Sequence, residues 1–189
     1  ACWTTAGSLR QASRAGCWGV KAQFYTADTI ASPTAKPYWT GGQGTQRDNY
    51  RRQLQPDEWA VVREACDRHG VHFLASVFDR QALALSESLG CENIKIASWE
   101  ITNRPLLEAV AQTGRTVLLS CGASYEWEIR RALHWLEPCP TLPMACSLEY
   151  PTPPVRAMAS VTVIATAAPR LQFRKCTTCR VSCLRSLSI

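Results

Sequence analysis

The side chains best suited to do chemistry stand at the carboxyl ends of five apolar, β-forming segments. They are Lys21 and Gln23, then Ser76 and Asp79, then Lys95, Ser98 and Glu100, then Ser120, and finally Glu149 and Tyr150. In a parallel α/β fold, the carboxyl ends of the strands meet at one edge and form the active site. The pattern therefore predicts one polar site that is assembled from several strands.

Two lysines inside otherwise apolar strands are the strongest single signal in this set. Lys21 lies in the segment Val-Lys-Ala-Gln, and Lys95 lies in the segment Ile-Lys-Ile-Ala. An ammonium group in such a strand needs an anionic partner, because an unpaired buried charge is costly. That partner is either a carboxylate of the same protein or, since serines stand at the strand ends, a phosphate or carboxylate of a ligand.

The chain alternates between strand and helix patterns. Strands are predicted over residues 20–24, 70–78, 93–98, 116–121 and 142–148, where β-formers are frequent. Helices are predicted over residues 56–69, 80–89, 105–113 and 124–136, with Pro56, Pro105 and Ser124 as start signals and Gly70, Gly90 and Gly114 as stops. Residues 27–55 are predicted to form a long connection, which is either functional or a solvated insertion.

Strands that alternate with helices predict βαβ units and a parallel sheet. The strands are apolar on both sides of the pleat, as expected of a buried parallel sheet. This pattern leaves a (β/α)₈ barrel and a doubly wound sheet both open. No Gly-x-Gly-x-x-Gly motif follows any of the strands, which argues against a dinucleotide-binding fold.

The excess of basic residues is confined to the end of the chain. Residues 1–150 carry 15 basic and 15 acidic residues, whereas residues 151–189 carry six basic residues and no acidic one. A neutral body argues against nucleic-acid binding. We therefore predict a body over residues 1–154 and a basic tail, rich in Cys, Ser, Thr and Arg, over residues 155–189 that is aberrant or disordered.

The cysteines and the hydropathy pattern predict a cytoplasmic protein. The sequence has ten cysteines, several of them inside apolar runs, where a reduced thiol serves as a small buried hydrophobe rather than as part of a disulfide framework. No charged leader precedes an apolar run, and the longest apolar stretch, residues 161–168, is too short to span a bilayer. We expect neither a signal peptide nor a membrane partner.

The strand segments resemble, in order, motifs of the sialic acid synthase family. Residues 20–23 are similar to the family's Val-Lys-Phe-Gln, and residues 72–79 to its His-Phe-Leu-Ser-Thr-Pro-Phe-Asp. Residues 94–103 are similar to Tyr-Lys-Ile-Ala-Ser-Gly-Glu-Ile-Thr-Asn, residues 118–122 to Ile-Leu-Ser-Thr-Gly, and residues 149–153 match Glu-Tyr-Pro-Thr-Pro. The resemblance covers about residues 6–153 and implies strands two to six of a (β/α)₈ barrel that is open and incomplete.

The resemblance implies a transferase that condenses phosphoenolpyruvate with N-acetylmannosamine or a related amino-sugar aldehyde, in sialic acid biosynthesis. In the family, a divalent metal ion (Mn²⁺ or Mg²⁺) polarises the aldehyde, the third carbon of phosphoenolpyruvate attacks it, water adds at the second carbon, and phosphate leaves. By position, the phosphate and carboxylate of phosphoenolpyruvate would be held by Lys21, Ser76, Lys95, Ser98 and Ser120. The sugar would contact Gln23, Glu100 and Tyr150, and the catalytic residues would be Lys21, Lys95 and Glu100.

The metal-binding part of the family pattern is absent from this sequence. The family's ligands are histidines of strands seven and eight, whereas His69, His72 and His134 fall on a helix end, a strand start and a helix. Trp99 also stands where the family has glycine beside the site. Because the aldehyde needs electrophilic activation, we expect the chain as written to bind phosphoenolpyruvate weakly and not to synthesise sialic acid. The sequence does not decide which amino sugar is used or whether a homodimer forms.

Two other interpretations of the chain stay open. In the first, the chain is a non-catalytic remnant, and Cys176, Cys179 and Cys183 with the basic residues around them bind a metal ion or nucleic acid. In the second, the reading frame changes after Pro154, which would explain why acidic residues stop so abruptly. Both interpretations concern the tail and leave the strand-end residues of the body unchanged.

Overall fold

The computed structural model describes residues 9–37, 44–51, 54–122 and 124–146. They form an α/β fold that divides after Glu92 into two compact units. The first unit has a helix over residues 9–14 (α1), β1 Gly19–Phe24, α2 Ala27–Ile30, α3 Gln46–Tyr50, α4 Pro56–Arg68, β2 His72–Val77 and α5 Arg80–Ser88. The second has β3 Asn93–Ile96, a 3₁₀ turn Ser98–Glu100, α6 Arg104–Ala111, β4 Thr116–Ser120, α7 Glu126–Trp135 and β5 Thr141–Met144. The predicted site residues Glu149 and Tyr150, and the whole tail, lie outside the described residues.

The first unit is built on a parallel pair, β1 and β2. The Phe24 ring packs 5.0 Å from Trp59 of α4 and 6.1 Å from Phe73 of β2, and all three side chains are buried. Because side chains alternate across a strand, the opposite face of the pair carries Lys21 and, in register with Gln23, Ser76. The apolar packing of one face therefore holds the polar residues of the other in place.

The second unit is a three-stranded parallel sheet in which β4 lies between β3 and β5. Ile94, Ile96, Val117 and Leu119 point to one face and are fully buried. Large apolar side chains of α6 and α7, including Leu107 and Ile129, are equally buried, as expected where helices cover a parallel sheet. The opposite face carries the polar residues of the predicted site.

The predicted strand over residues 93–98 ends two residues early, at Ile96. The Glu100 amide donates to the Ala97 carbonyl at 3.0 Å, and the chain closes into a 3₁₀ turn. Ser98 therefore begins a turn instead of ending a strand. The turn changes the direction in which its hydroxyl points.

The predicted helix over residues 124–136 begins later than expected, at Glu126. Tyr125 is the N-cap residue, and the Glu128 carboxylate accepts a hydrogen bond from the Tyr125 amide at 2.8 Å. The Ser124 hydroxyl, predicted as the cap, instead donates to the Gly122 carbonyl at 3.1 Å. The prediction was wrong because the acidic residue in the first turn satisfies the end of the helix in place of the serine.

The connection over residues 27–55 contains two short helices, α2 and α3. Arg47 of α3 joins them, since its Nε and Nη2 atoms donate to the Ala31 carbonyl at 2.9 and 2.7 Å. Nη2 of the same residue also reaches the Asp28 carbonyl at 3.1 Å. The described part of this connection is thus held together by its own hydrogen bonds.

The cysteines of the described ranges are free thiols. Cys66, Cys91, Cys121 and Cys139 are buried, Cys17 is exposed, and Cys146 is intermediate. Four of the six therefore match the prediction of small buried side chains. Within the same ranges, none of the helices has the length and apolar character needed to cross a membrane.

Asp79, which follows β2, stabilises the first unit. Its carboxylate caps α5 by accepting from the Ala82 amide at 2.7 Å, and it also accepts from the Thr26 amide and the Thr29 hydroxyl at 3.1 and 2.8 Å. Partial burial tends to raise the pKa of Asp79, but these hydrogen bonds outweigh it, and the pKa lies below its usual value. The residue therefore belongs to the architecture of the first unit.

Asp79→Ala is expected to lower the free energy of unfolding by about 1–3 kcal/mol at pH 7, since it removes a cap and two further hydrogen bonds. The folded pKa is lowered, so this stabilisation is present above the unfolded pKa, near pH 4, and is lost as the pH falls through the folded pKa. Urea unfolding of wild type and Asp79→Ala at pH 7 and pH 3 measures the difference in the free energy of unfolding. Asp57→Ala, which removes an exposed carboxylate, is the control. A difference between Asp79→Ala and wild type that is as large at pH 3 as at pH 7 would contradict the assignment.

Candidate anion-binding site

A lysine and a serine from neighbouring strands meet on the polar face of the second unit. Lys95 is aligned with Leu118, and Ser120 ends β4 two residues further on. The Lys95 ammonium group donates to the Ser120 hydroxyl and, at 2.7 Å, to the Ile96 carbonyl. Both of these acceptors are neutral oxygen atoms. The arrangement places a cation and a buried hydroxyl group at the carboxyl ends of the strands.

A second hydroxyl group, that of Ser98, lies at the end of the same sheet. It accepts a hydrogen bond from the Gly122 amide at 3.2 Å, and it lies 3.7 Å from the Cys146 sulfur. A Cβ atom on Gly122 would lie 2.9 Å from the Cys146 carbonyl oxygen and 3.0 Å from the Ser98 hydroxyl. Only glycine leaves enough room here for the three segments that follow β3, β4 and β5 to converge.

Cys146 is a member of this cluster that the sequence did not single out. Burial tends to raise the pKa of its thiol, but hydrogen bonds from Ser120, Ser98 and the backbone amides of Gly122 and Cys121 outweigh it, and the pKa is lowered. No signal in the sequence placed it here, because its position follows from strand register, in which Met144 is aligned with Ser120. A residue two positions beyond Met144 continues the same face.

Glu100 is engaged in a local contact of its own. Its carboxylate accepts a hydrogen bond from the Asn103 side-chain amide at 2.6 Å, and the Asn103 oxygen caps α6 by accepting from the Leu106 amide at 3.3 Å. Glu100 therefore orients the cap of a helix. Trp99, beside it, is 64% exposed.

Three predicted site residues share one face of the first unit. Lys21 and Gln23 are two positions apart on β1, so their side chains point to the same side of the strand. Ser76, which is 3% exposed, is aligned with Gln23 on β2. Lys21 is half-buried, and burial lowers the pKa of its ammonium group. Among the described residues of its unit, no carboxylate or other side chain pairs with it. The structure thus brings Lys21, Gln23 and Ser76 to one face, and Lys95, Ser98 and Ser120 to one strand end.

The model of one protein family, described as the NeuB family, matches residues 8–173 of this sequence. The chain belongs to the NeuB family. The pseudaminic acid synthase of Helicobacter pylori is 32% identical to this NeuB-family chain over 132 residues, which cover 67% of this chain and 39% of that protein. The N,N'-diacetyllegionaminic acid synthase of Legionella pneumophila is 28% identical over 133 residues, which cover 67% and 37%. The NeuB-family chain thus spans about two fifths of the length of these relatives.

The crystal structure of an N-acetylneuraminic acid synthetase from Leptospira borgpetersenii has the same fold. The two structures match with a TM-score of 0.73 and 24% sequence identity, over 86% of this chain and 55% of the synthetase. The predicted resemblance to sialic acid synthases and the predicted α/β fold, a partial (β/α)₈ barrel, are therefore confirmed.

A divalent metal ion is the cofactor that the NeuB family implies. Within residues 9–37, 44–51, 54–122 and 124–146, no group of three or more His, Cys, Asp or Glu side chains is placed to hold a metal ion. His72 stacks on Trp18 at 4.5 Å, and His134 lies 3.6 Å from Glu137. The described residues therefore do not fit a metal centre.

Proposed function

We propose that this chain supplies the phosphoenolpyruvate-binding part of a NeuB-type synthase, which condenses phosphoenolpyruvate with an amino-sugar aldehyde and releases phosphate. The observation that carries the proposal is the pairing of the Lys95 ammonium group with the Ser120 hydroxyl at the carboxyl end of β4. In a chain of this family, that is where an anionic substrate is expected. The amino sugar would be N-acetylmannosamine or a close relative.

The local geometry suits an anion with several oxygen atoms. Lys95 can turn its N–H groups from the Ser120 and Ile96 oxygens to a phosphate or carboxylate oxygen, with which they would form charge-assisted hydrogen bonds. The Ser120 and Ser98 hydroxyl groups can rotate to donate to the same anion. Charge-assisted hydrogen bonds of this kind also stabilise the negative charge that develops on phosphate as it leaves.

The remaining site residues are assigned by the family resemblance. Lys21 and Ser76 would also contact phosphoenolpyruvate, and the lowered pKa of Lys21 supports this because a bound anion would offset the cost of its buried charge. Gln23, Glu100 and Tyr150 would contact the sugar. The hydrogen bond to Asn103 orients the Glu100 carboxylate but occupies one of its oxygens, which leaves the other for a sugar hydroxyl group. The cytoplasmic location and the homodimer also stay predictions.

Isothermal titration of the 189-residue chain with phosphoenolpyruvate tests the proposal. We expect saturable binding with a dissociation constant on the order of 0.1–1 mM, and weaker binding of pyruvate, which lacks the phosphate group. A release assay for phosphate, with N-acetylmannosamine and Mn²⁺ present, tests turnover. We predict no turnover by this chain alone, because binding of phosphoenolpyruvate without activation of the aldehyde does not form the carbon–carbon bond, and the described residues contain no group that fits a metal ion.

The outcomes of these two measurements separate the parts of the proposal. Absence of saturable phosphoenolpyruvate binding by a folded chain would overturn the anion site. Binding without turnover would support the anion site and the predicted inactivity. Turnover would show a complete synthase and refute the predicted inactivity. The alternative, a remnant with a metal- or nucleic-acid-binding tail, concerns residues outside those described, and no observation here favours it.

A further inference from the structure

Aromatic rings and guanidinium groups form a continuous row along the exposed side of α7. The Tyr125 and Trp127 rings are stacked, with their centroids 6.4 Å apart. The Arg131 guanidinium group lies 4.7 Å from the Trp127 ring centroid and 5.1 Å from that of Trp135. Arg104, at the start of α6, lies 5.9 Å from the same Trp135 centroid. These five side chains form the Trp–Arg row, which has no part in the proposed anion site.

The Trp–Arg row is open to solvent at its aromatic end. Tyr125 is 71% exposed and Trp127 is 54% exposed, whereas Ile129 on the other side of α7 is fully buried. Trp, Tyr and Arg are the residue types that contribute most to binding at protein interfaces. The rings that stack on Arg131 also hold its guanidinium group in place, so its N–H groups lose little conformational freedom when they bind a partner. The row is therefore suited to recognition.

Arg131 differs from the other two arginines of α6 and α7 in its charge balance. Arg104 Nε lies 2.7 Å from Glu108 Oε1. Arg130 Nη2 lies 2.6 Å from Glu126 Oε1. Among the residues that the structure describes, Arg131 contacts two indole rings and has no carboxylate partner. Its planar fork of N–H groups is thus left to bind a carboxylate of another molecule at two points.

We propose that the Trp–Arg row is a docking site for a peptide segment of a partner protein. An aspartate or glutamate of that segment binds Arg131, and apolar side chains beside it pack on Trp127 and Tyr125. The charges of the surface identify the partner's chemistry, because one arginine without an ion pair calls for one carboxylate. The proposal does not depend on the anion site at the strand ends.

The same charges disfavour a second copy of this chain and a nucleic acid. A two-fold contact brings the same surface to both sides, so the surface itself would have to supply a carboxylate for Arg131. Glu108 and Glu126 are already paired, and Glu128 accepts a hydrogen bond from the Tyr125 amide at 2.8 Å. Bases of a single strand could stack on the rings, but its affinity depends on the neutralisation of several phosphates.

Selection from a phage-displayed library of random peptides against the 189-residue chain tests the proposal. Peptides of about ten residues suffice, since in extended form they exceed the length of α7. We expect the enriched peptides to share an Asp or Glu with apolar neighbours. Titration calorimetry with a synthetic copy of an enriched peptide should show saturable binding, and the same peptide with Asn or Gln in place of the acid should bind about ten- to a hundredfold more weakly.

Arg131→Gln should weaken binding of the acidic peptide by a similar factor and should have little effect on the peptide that already carries the amide. This non-additivity assigns the acid to Arg131, which a general loss of structure would not do. Arg131→Lys, which keeps the charge but not the planar fork, should have an intermediate affinity. The matched control is Arg68→Gln, which removes an exposed arginine of α4 that lies 3.7 Å from Glu64, and it should bind as wild type does.

Three results would overturn the proposal. The first is the absence of enriched peptides, or enrichment of peptides that bind wild type and Arg131→Gln equally. The second is a dimer, seen by sedimentation, that dissociates in Arg131→Gln, because the row would then be a contact between two copies. The third is binding of an oligothymidine that is lost in Arg131→Gln but kept in Arg68→Gln, which would assign the row to nucleic acid. None of these results affects the phosphoenolpyruvate titration, so this proposal and the proposed function fail separately.

Discussion

Lys95→Met is expected to weaken phosphoenolpyruvate binding about ten- to a hundredfold. The reason is the loss of a charge-assisted hydrogen bond, worth about 1.5–3 kcal/mol, to the phosphate or carboxylate group. The fold should survive, because the methionine side chain fits a half-buried strand position and leaves the fully buried face of the sheet untouched. Titration calorimetry with phosphoenolpyruvate, together with thermal unfolding of the free protein, measures the two effects separately.

The matched control for this substitution is Lys36→Met, which removes an exposed lysine of the first unit. It should bind phosphoenolpyruvate as wild type does. Lys95→Arg keeps the charge but replaces a compact ammonium group with a planar fork, so we expect an intermediate affinity. Equal affinities for wild type and a well-folded Lys95→Met would show that the anion site lies elsewhere.

Gly122→Ala is expected to destabilise the protein by about 1–3 kcal/mol and to weaken anion binding as well. Its Cβ atom would lie 2.9 Å from the Cys146 carbonyl oxygen, which is backbone and cannot move without shifting the segment that follows β5. The same atom would lie 3.0 Å from the Ser98 hydroxyl. The shift would therefore separate Ser98 from Cys146 and displace a proposed donor. Urea unfolding and titration with inorganic phosphate measure the two effects.

Gly114→Ala separates the loss of stability from the loss of binding. Gly114 follows α6 with a φ of 63°, which strains any residue with a Cβ atom, but a Cβ there would meet nothing within 4 Å. We expect this variant to lose about 1 kcal/mol of stability and to keep its affinity for phosphate. If Gly122→Ala keeps that affinity too, the close packing around Ser98 is not needed to hold the anion.

Much of the architecture could be read from periodic patterns in the sequence. The spacing of apolar residues and the proline at the start of α4 predicted that helix to within one residue. The alternation of strands and helices predicted the parallel pairing. Strands that are apolar on both faces supported it, because helices cover both faces of a parallel sheet. Local signals of this kind suffice wherever a single segment carries the information.

The sequence did not show how neighbouring polar side chains at the start of a helix divide the hydrogen bonds among them. The sugar role of Glu100, implied by the family resemblance, stays a prediction, and the structure adds that its carboxylate accepts a hydrogen bond from Asn103, the cap of α6. Ser124 has the residue type of a helix cap, but the carboxylate of Glu128 accepts the amide hydrogen bond at that end instead. Where several side chains could form the same hydrogen bond, the distances between atoms decide which of them does so. The sequence pattern does not contain these distances.

The sequence by itself determined the family and the alternation of strands and helices along the chain, since each of these is encoded within short segments. Only the tertiary structure decided which of the residues at the strand ends meet. Ser98, Gly122 and Cys146 lie close together for three reasons. The chain turns after β3, the residue after β4 at this point is a glycine without a Cβ atom, and the register of β5 places Cys146 beside them. Proximity across strands depends on register and on excluded volume, and both arise only when the segments pack against each other.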